Sequence, residues 1–163
     1  MTAGGSSIPE VQALLRVLAT GRRRAAEIGT AFGDGALAIV GGLAPGGTLV
    51  TVDLDGARVR SARETLSGRD DVTVLEGDWR AVLPSHGPFD FLFVDAHSAK
   101  ADPAVLDLLE PGGVAIVDDL APGRTGPDPV RAFWLANPRL AGVEIMTTPS
   151  TAAIVAARLA REQ

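Results

Sequence analysis

The stretch that decides the architecture is Arg24-Ala25-Ala26-Glu27-Ile28-Gly29-Thr30-Ala31-Phe32-Gly33-Asp34-Gly35. Arg24 to Gly29 is short and mostly apolar and reads as a strand, while the residues from about Asp34 to Leu43 carry a helical pattern. The turn Pro45-Gly46-Gly47 and the apolar run Thr48 to Leu54 follow, so the region predicts a βαβ unit. Glycines between strand and helix let the backbone come close to a ligand at that junction.

The alternation extends outward in both directions. Upstream, Ile8 to Thr20 places Val11, Leu14, Leu15 and Leu18 at the i, i+3, i+4, i+7 spacing of an amphipathic leader helix, with Pro9 in its first turn and Gly21 after its end. Downstream come a helix over Gly56 to Ser67, a strand over Val72 to Leu75, a helical turn at Trp79 to Leu83 and a strand over Phe89 to Asp95. Asp102-Pro103 then caps a helix expected to end at Glu110, Pro111-Gly112-Gly113 turns the chain, and Val114 to Val117 forms another strand. Runs such as Phe91 to Val94 leave no polar face, as a parallel sheet covered on both sides requires. After a helix opened by Asp128-Pro129, the runs Val143 to Thr147 and Thr151 to Ala157 are too close for a parallel crossover and predict an antiparallel hairpin.

The 163 residues suit a single domain over 1–163, with a leader over 1–21 and the alternating core over 22–163. Hydrophobic residues at 46% and charged residues at 21% exclude a disordered or fibrous chain. A net charge of −5 speaks against nucleic acid and against anionic membranes, and Arg22-Arg23-Arg24 reads as a solvated turn. With no cysteine there is neither a disulfide framework nor a thiolate site. No signal peptide and no apolar run long enough to span a bilayer is legible, so a soluble cytoplasmic protein is expected. Lys100 is the single lysine among fifteen basic residues.

In a doubly wound sheet, ligands bind beyond the carboxyl ends of the strands, near the point where strand order reverses. The loop from Glu27 to Gly35 does not match G-x-G-x-x-G, and Glu27 and Asp34 put negative charge where a pyrophosphate would sit, which favours a zwitterionic or cationic ligand. Asp53 lies 20 residues after Gly33, the interval at which an acid accepts ribose hydroxyls, while Asp55 suits a helix cap. In Glu76-Gly77-Asp78-Trp79 a carboxylate can accept from an exocyclic amine and an indole can stack on a base.

Taken in order, Glu27-Ile28-Gly29 with Gly33, then Asp53, then Gly77-Asp78 resemble the motifs of the class I S-adenosylmethionine-dependent methyltransferases. The leader Ile8-Pro9-Glu10-Val11 and the strand Phe89 to Asp95 with Ala96-His97 look like the catechol and caffeoyl-CoA type O-methyltransferases. The resemblance covers residues 8 to 160. It implies a Rossmann-like, mostly parallel seven-stranded sheet with an antiparallel C-terminal hairpin. S-adenosylmethionine would then be held by Glu27, Gly29, Gly33, Gly35, Asp53, Leu54, Gly77, Asp78, Trp79 and Asp95. It also implies a divalent cation, usually Mg²⁺, on Asp95, Asp118 and Asp119, the last standing where relatives usually carry Asn. The relatives' general-base lysine falls on Ser98 here, which leaves His97 and Lys100 as candidate catalytic residues.

The implied acceptor is a small hydroxylated, catechol-like molecule, and the same resemblance implies a homodimer through the leader helix and hairpin. Alternatives are a metal-independent methyltransferase, a non-catalytic S-adenosylmethionine-binding module and, least favoured by the glycine spacing, an NAD-dependent oxidoreductase.

Overall fold

The apolar runs form strands and the segments between them form helices, packed on both sides of one sheet. The structure, a computed structural model, describes residues 7–160. In chain order the elements are α1 (Pro9–Ala19), β1 (Arg24–Ile28), α2 (Asp34–Val40), β2 (Thr48–Asp53), α3 (Gly56–Thr65), β3 (Val72–Glu76) and α4 (Trp79–Val82) with a 3-10 turn Leu83–Ser85. They continue with β4 (Phe89–Val94), α5 (Val105–Leu108), β5 (Leu109–Leu120), α6 (Pro129–Ala136), β6 (Leu140–Thr148) and β7 (Thr151–Arg158). The seven strands lie in the order β3-β2-β1-β4-β5-β7-β6. The first five are parallel, and β7 pairs antiparallel with both β5 and β6, as the short spacer between the last two runs requires.

Alternate residues of each inner strand feed two separate cores. Ile28, Leu92, Val94, Ala115 and Val117 join Trp79, Leu83 and Trp134 under α4, α5 and α6. Ala25, Phe91, Phe93 and Ile116 join Val11, Leu15 and Ile39 under α1 and α2. The leader helix thus buries the stripe Val11, Leu15 and Ala19, with Pro9 in its first turn, where a missing N–H costs nothing. Among the described residues no helix is long and apolar enough to cross a membrane.

Several boundaries differ from the sequence reading by a few residues, β6 for instance starting at Leu140 rather than Val143, and two of the differences have a cause in the packing. α2 stops at Val40 rather than Leu43, because Gly41 and Gly42 end it; a Cβ on Gly42 would overlap the Arg16 carbonyl of α1, so these glycines let the two helices approach. The helix expected to reach Glu110 is only Val105–Leu108, and Pro111-Gly112-Gly113 bulges within β5 instead of turning the chain before it. Leu109 pairs with Phe89 and Val114 with Phe91, so β5 advances five residues while β4 advances two; Gly112, at φ +82°, absorbs the difference.

The chain runs outward from β1 through β2 to β3, then returns to β4 on the other side of β1. Strand order therefore reverses between β1 and β4, where the crossovers diverge and leave a crevice. Its floor is hydrogen-bonded: the Ile28 carbonyl accepts from Asp95 N (2.9 Å) and Ala96 N (2.8 Å), and Gly29 N donates to the Val52 carbonyl (2.8 Å).

Candidate functional site

A cleft of about 570 Å³ opens at this switch point, within the range of small-molecule sites, and Gly29, Asp53, Leu54, Trp79, Asp95 and His97 stand on its wall. Gly29 sits at φ +106°, and a Cβ there would come within 2.9 Å of Ala96 N, so only glycine lets β1 and β4 meet at this edge. Asp53 ends β2 with its carboxylate fixed by two backbone donors, Ala31 N at 3.0 Å and Asp55 N at 2.9 Å. Asp55 caps α3 by accepting from Ala57 N and Arg58 N, which holds its carboxyl below the usual range. Leu54 is left 68% exposed beside them, an apolar side chain aimed at no core. Trp79 is buried, carries the Arg80 guanidinium over its ring at 4.8 Å, and its indole N–H has no hydrogen-bond partner among the described residues.

At the β4 and β5 end, Asp95, Asp118 and Asp119 come together around Lys100. The ammonium donates to the Asp118 backbone carbonyl at 2.7 Å and lies 3.7 Å from Asp95 Oδ1 and 3.8 Å from Asp119 Oδ2. Burial lifts the Asp95 carboxyl to about 6 against the pull of Lys100, with Asp119 and Asp118 adding to the rise, and burial also raises Asp118. Asp119 has φ +61°, a left-handed conformation that Asn, Asp and Gly adopt most readily.

Residues 26–120 match a family described as a methyltransferase domain. The chain belongs to that methyltransferase family. A provisionally named O-methyltransferase of Mycobacterium ulcerans is 31% identical over 136 residues, which is 77% of this chain and 61% of that protein, so the chain spans about three-fifths of the curated relatives it matches. Among solved structures, an O-methyltransferase from Bacillus cereus in complex with SAH superposes with a TM-score of 0.79 at 27% identity, over 95% of this chain and 83% of the other. An O-methyltransferase from Streptomyces achromogenes in complex with SAM gives 0.78 at 25% identity, over 96% and 83%.

Within this methyltransferase domain, Gly29, Asp53, Leu54, Gly77, Trp79, Asp95, His97 and Asp119 line the cleft. Glu27, Gly33, Gly35 and Asp78 stand off the wall and have other contacts. Gly33 begins α2 at φ +93° against Leu66, and Asp78 caps α4 by accepting from Arg80 N. A Cβ on Gly35 would overlap Glu27 Oε1, so that glycine makes room for the buried acid. Arg58, Ser98 and Asp55 also line the cleft and were not anticipated there; Arg58 stands three residues after the cap Asp55 and 3.9 Å from it, a spacing that could have drawn attention.

Glu27 does not supply the surface charge its position suggested. It is buried under the glycine loop, where Thr51 Oγ1 donates to it at 2.6 Å and in turn contacts Thr30 Oγ1 at 2.5 Å. Burial above all lifts its pKa to about 8. The folded chain therefore holds this proton up to about pH 8, while an unfolded chain releases it near 4.5. The native state binds more protons through that window, so this carboxyl makes stability fall as pH rises from about 4.5 to 8. Glu27→Gln is expected to flatten that fall, raising Tm at pH 8.5 by several degrees relative to its effect at pH 5, as thermal unfolding across pH would read. Parallel profiles for the two proteins would mean that Glu27 is ionised in the fold.

The residues present fit an implied divalent cation poorly. A buried ammonium already stands between the carboxylates of Asp95 and Asp119 and on the backbone carbonyl of Asp118, and among the described residues no group of three or more metal-ligating side chains is placed to hold an ion. The same contacts hold Lys100 in place off the cleft wall, whereas His97 is exposed and lies on it.

Proposed function

We propose that this chain binds S-adenosylmethionine in the switch-point cleft and transfers its methyl group to a hydroxyl oxygen of a small molecule. The observation that carries the reading is the juxtaposition of Gly29, bare backbone at the end of β1, with the Asp53 carboxylate locked at the end of β2. In this reading Asp53 accepts from both ribose hydroxyls, and Leu54 and Trp79 flank the adenine beside Gly77. The wall carries Asp53, Asp55, Asp95 and Asp119 against Arg58, with Lys100 behind Asp95 and Asp119, a balance that stays negative and so attracts a cationic ligand and repels a phosphate-rich one.

When bound, S-adenosylmethionine supplies a sulfonium methyl whose transfer forms the acceptor's O–C bond as the S–C bond breaks, leaving a neutral thioether. The protein's share is alignment and exclusion of water, worth far more here than covalent help. His97 takes the acceptor's hydroxyl proton, an imidazole being able to do so near neutral pH.

The test is incubation of the chain with methyl-labelled S-adenosylmethionine and a panel of phenols, catechols, aliphatic alcohols, amines and carbon nucleophiles such as indoles, followed by mass spectrometry of the acceptor. Labelled methyl ethers are expected, with His97→Ala lowering kcat by about a hundredfold or more, the range of general-base contributions. Transfer to nitrogen or carbon acceptors with none to oxygen would refute the oxygen specificity.

A further inference from the structure

We infer that Lys100 serves as the built-in cation of the acid cluster, that the cluster takes no divalent metal, and that the acceptor is therefore recognised through one hydroxyl rather than by chelation of a vicinal diol. The inference deepens the methyltransferase reading and rests on it.

Lys100 is fixed at both ends. Trp134 Nε1 donates to its backbone carbonyl at 2.6 Å, tying the loop after β4 to the core under α6, and its own ammonium donates to the Asp118 carbonyl at 2.7 Å. The side chain is 7% exposed, and from there Nζ faces Asp95 Oδ1 and Asp119 Oδ2 at nearly equal distances, 3.7 and 3.8 Å. An ion coordinated by either carboxylate at about 2.1 Å would lie within about 6 Å of that ammonium, and on the Asp95 side, where that carboxylate is 22% exposed against 73% for Asp119, less water screens the repulsion.

Side-chain chemistry agrees with this placement. In a chain whose other fourteen basic residues are all arginine, the one lysine stands here. A compact ammonium can sit among one carbonyl and two carboxylates, whereas a guanidinium brings five donors in a rigid fork that this enclosed position does not match. Asp119 adds a full negative charge where a neutral amide would leave the ammonium less well balanced. Lys100 acts through Asp95 and Asp119, both on the cleft wall, and is a positioning residue rather than a catalytic one.

The consequence for specificity follows from coordination. A bound magnesium would favour acceptors offering two adjacent oxygens to one ion, and without it a single hydroxyl within reach of His97 suffices.

The experiment is a Mn²⁺ titration of the full chain, read by the electron paramagnetic resonance of free Mn²⁺, for the native protein and for Lys100→Gln, with calorimetric binding of S-adenosylhomocysteine measured on each. The native protein is expected to leave millimolar Mn²⁺ free, and Lys100→Gln to bind one equivalent about tenfold or more tightly than the native chain. In chelator, phenols and catechols should be methylated at comparable rates. One equivalent of Mn²⁺ bound at micromolar concentration by the native protein would overturn the inference, a result that stands even if the variant does not fold. A folded Lys100→Gln that gains no affinity would overturn it too. Absence of S-adenosylhomocysteine binding to the native protein would sink the parent reading instead.

Discussion

Asp53→Ala is expected to weaken binding of S-adenosylhomocysteine by about a hundredfold or more, since two hydrogen bonds to a carboxylate are each worth about 1.5–3 kcal/mol and about 1.4 kcal/mol is a factor of ten. The native carboxylate is prepared for this before any ligand arrives: Ala31 N and Asp55 N already hold both oxygens, so little ordering is needed on binding. Removing it also unties the glycine loop at Ala31 from the end of β2, adding a second loss in the same direction. Asp53→Asn keeps one oxygen as an acceptor and should fall between the two. Calorimetric titration at fixed ionic strength measures all three. Unchanged affinity in Asp53→Ala would remove the ribose assignment while leaving the fold as described.

Gly29→Ala is expected to damage both stability and binding. Its φ of +106° lies where side chains are strained by about 1–3 kcal/mol. The new methyl would also press on Ala96 N at 2.9 Å, against one of the two N–H groups that the Ile28 carbonyl accepts. Together these predict a loss of about 3 kcal/mol or more and a drop in Tm of roughly 6–12 °C for a chain of this size. Gly46→Ala is the control: its φ is +76°, yet a Cβ there meets nothing within 4 Å, so only the conformational cost of about 1 kcal/mol applies. Equal losses in the two variants would mean that the close meeting of β1 and β4 does not exist.

The parts of the fold that were legible in the sequence are those where one physical constraint dominates. Phe91 to Val94 and Val114 to Val117 have no polar position, and only strands buried on both faces tolerate that. The two-residue spacer between the last two strands permits one pairing direction. Gly29, Asp53 and Asp95 were legible as residues of one cleft because they end neighbouring parallel strands, and the topology brings those ends together.

Other positions obey constraints that a linear pattern does not carry. Glu27 follows two buried alanines in a strand covered on both faces, so its residue type alone cannot say whether it faces a cleft or lies beneath one. Gly33 and Gly35 look like ligand-binding glycines, yet the backbone asks for the first through its φ of +93° and the closeness of Glu27 Oε1 asks for the second. Pro111-Gly112-Gly113 has the composition of a turn, and only the pairing of Leu109 with Phe89 makes it a bulge. Lys100 sits in a loop without periodicity, five residues after Asp95, and its contacts with the acids arise from the meeting of β4 with β5.

The most direct test of the account is calorimetric titration of the native chain with S-adenosylhomocysteine, run beside NAD⁺ at the same concentrations. The cleft described here predicts one equivalent of S-adenosylhomocysteine bound with micromolar affinity, no heat from NAD⁺, and loss of the signal in Asp53→Ala. A flat titration with S-adenosylhomocysteine in a folded native protein would contradict the central claim, leaving a switch-point cleft whose ligand is of another class.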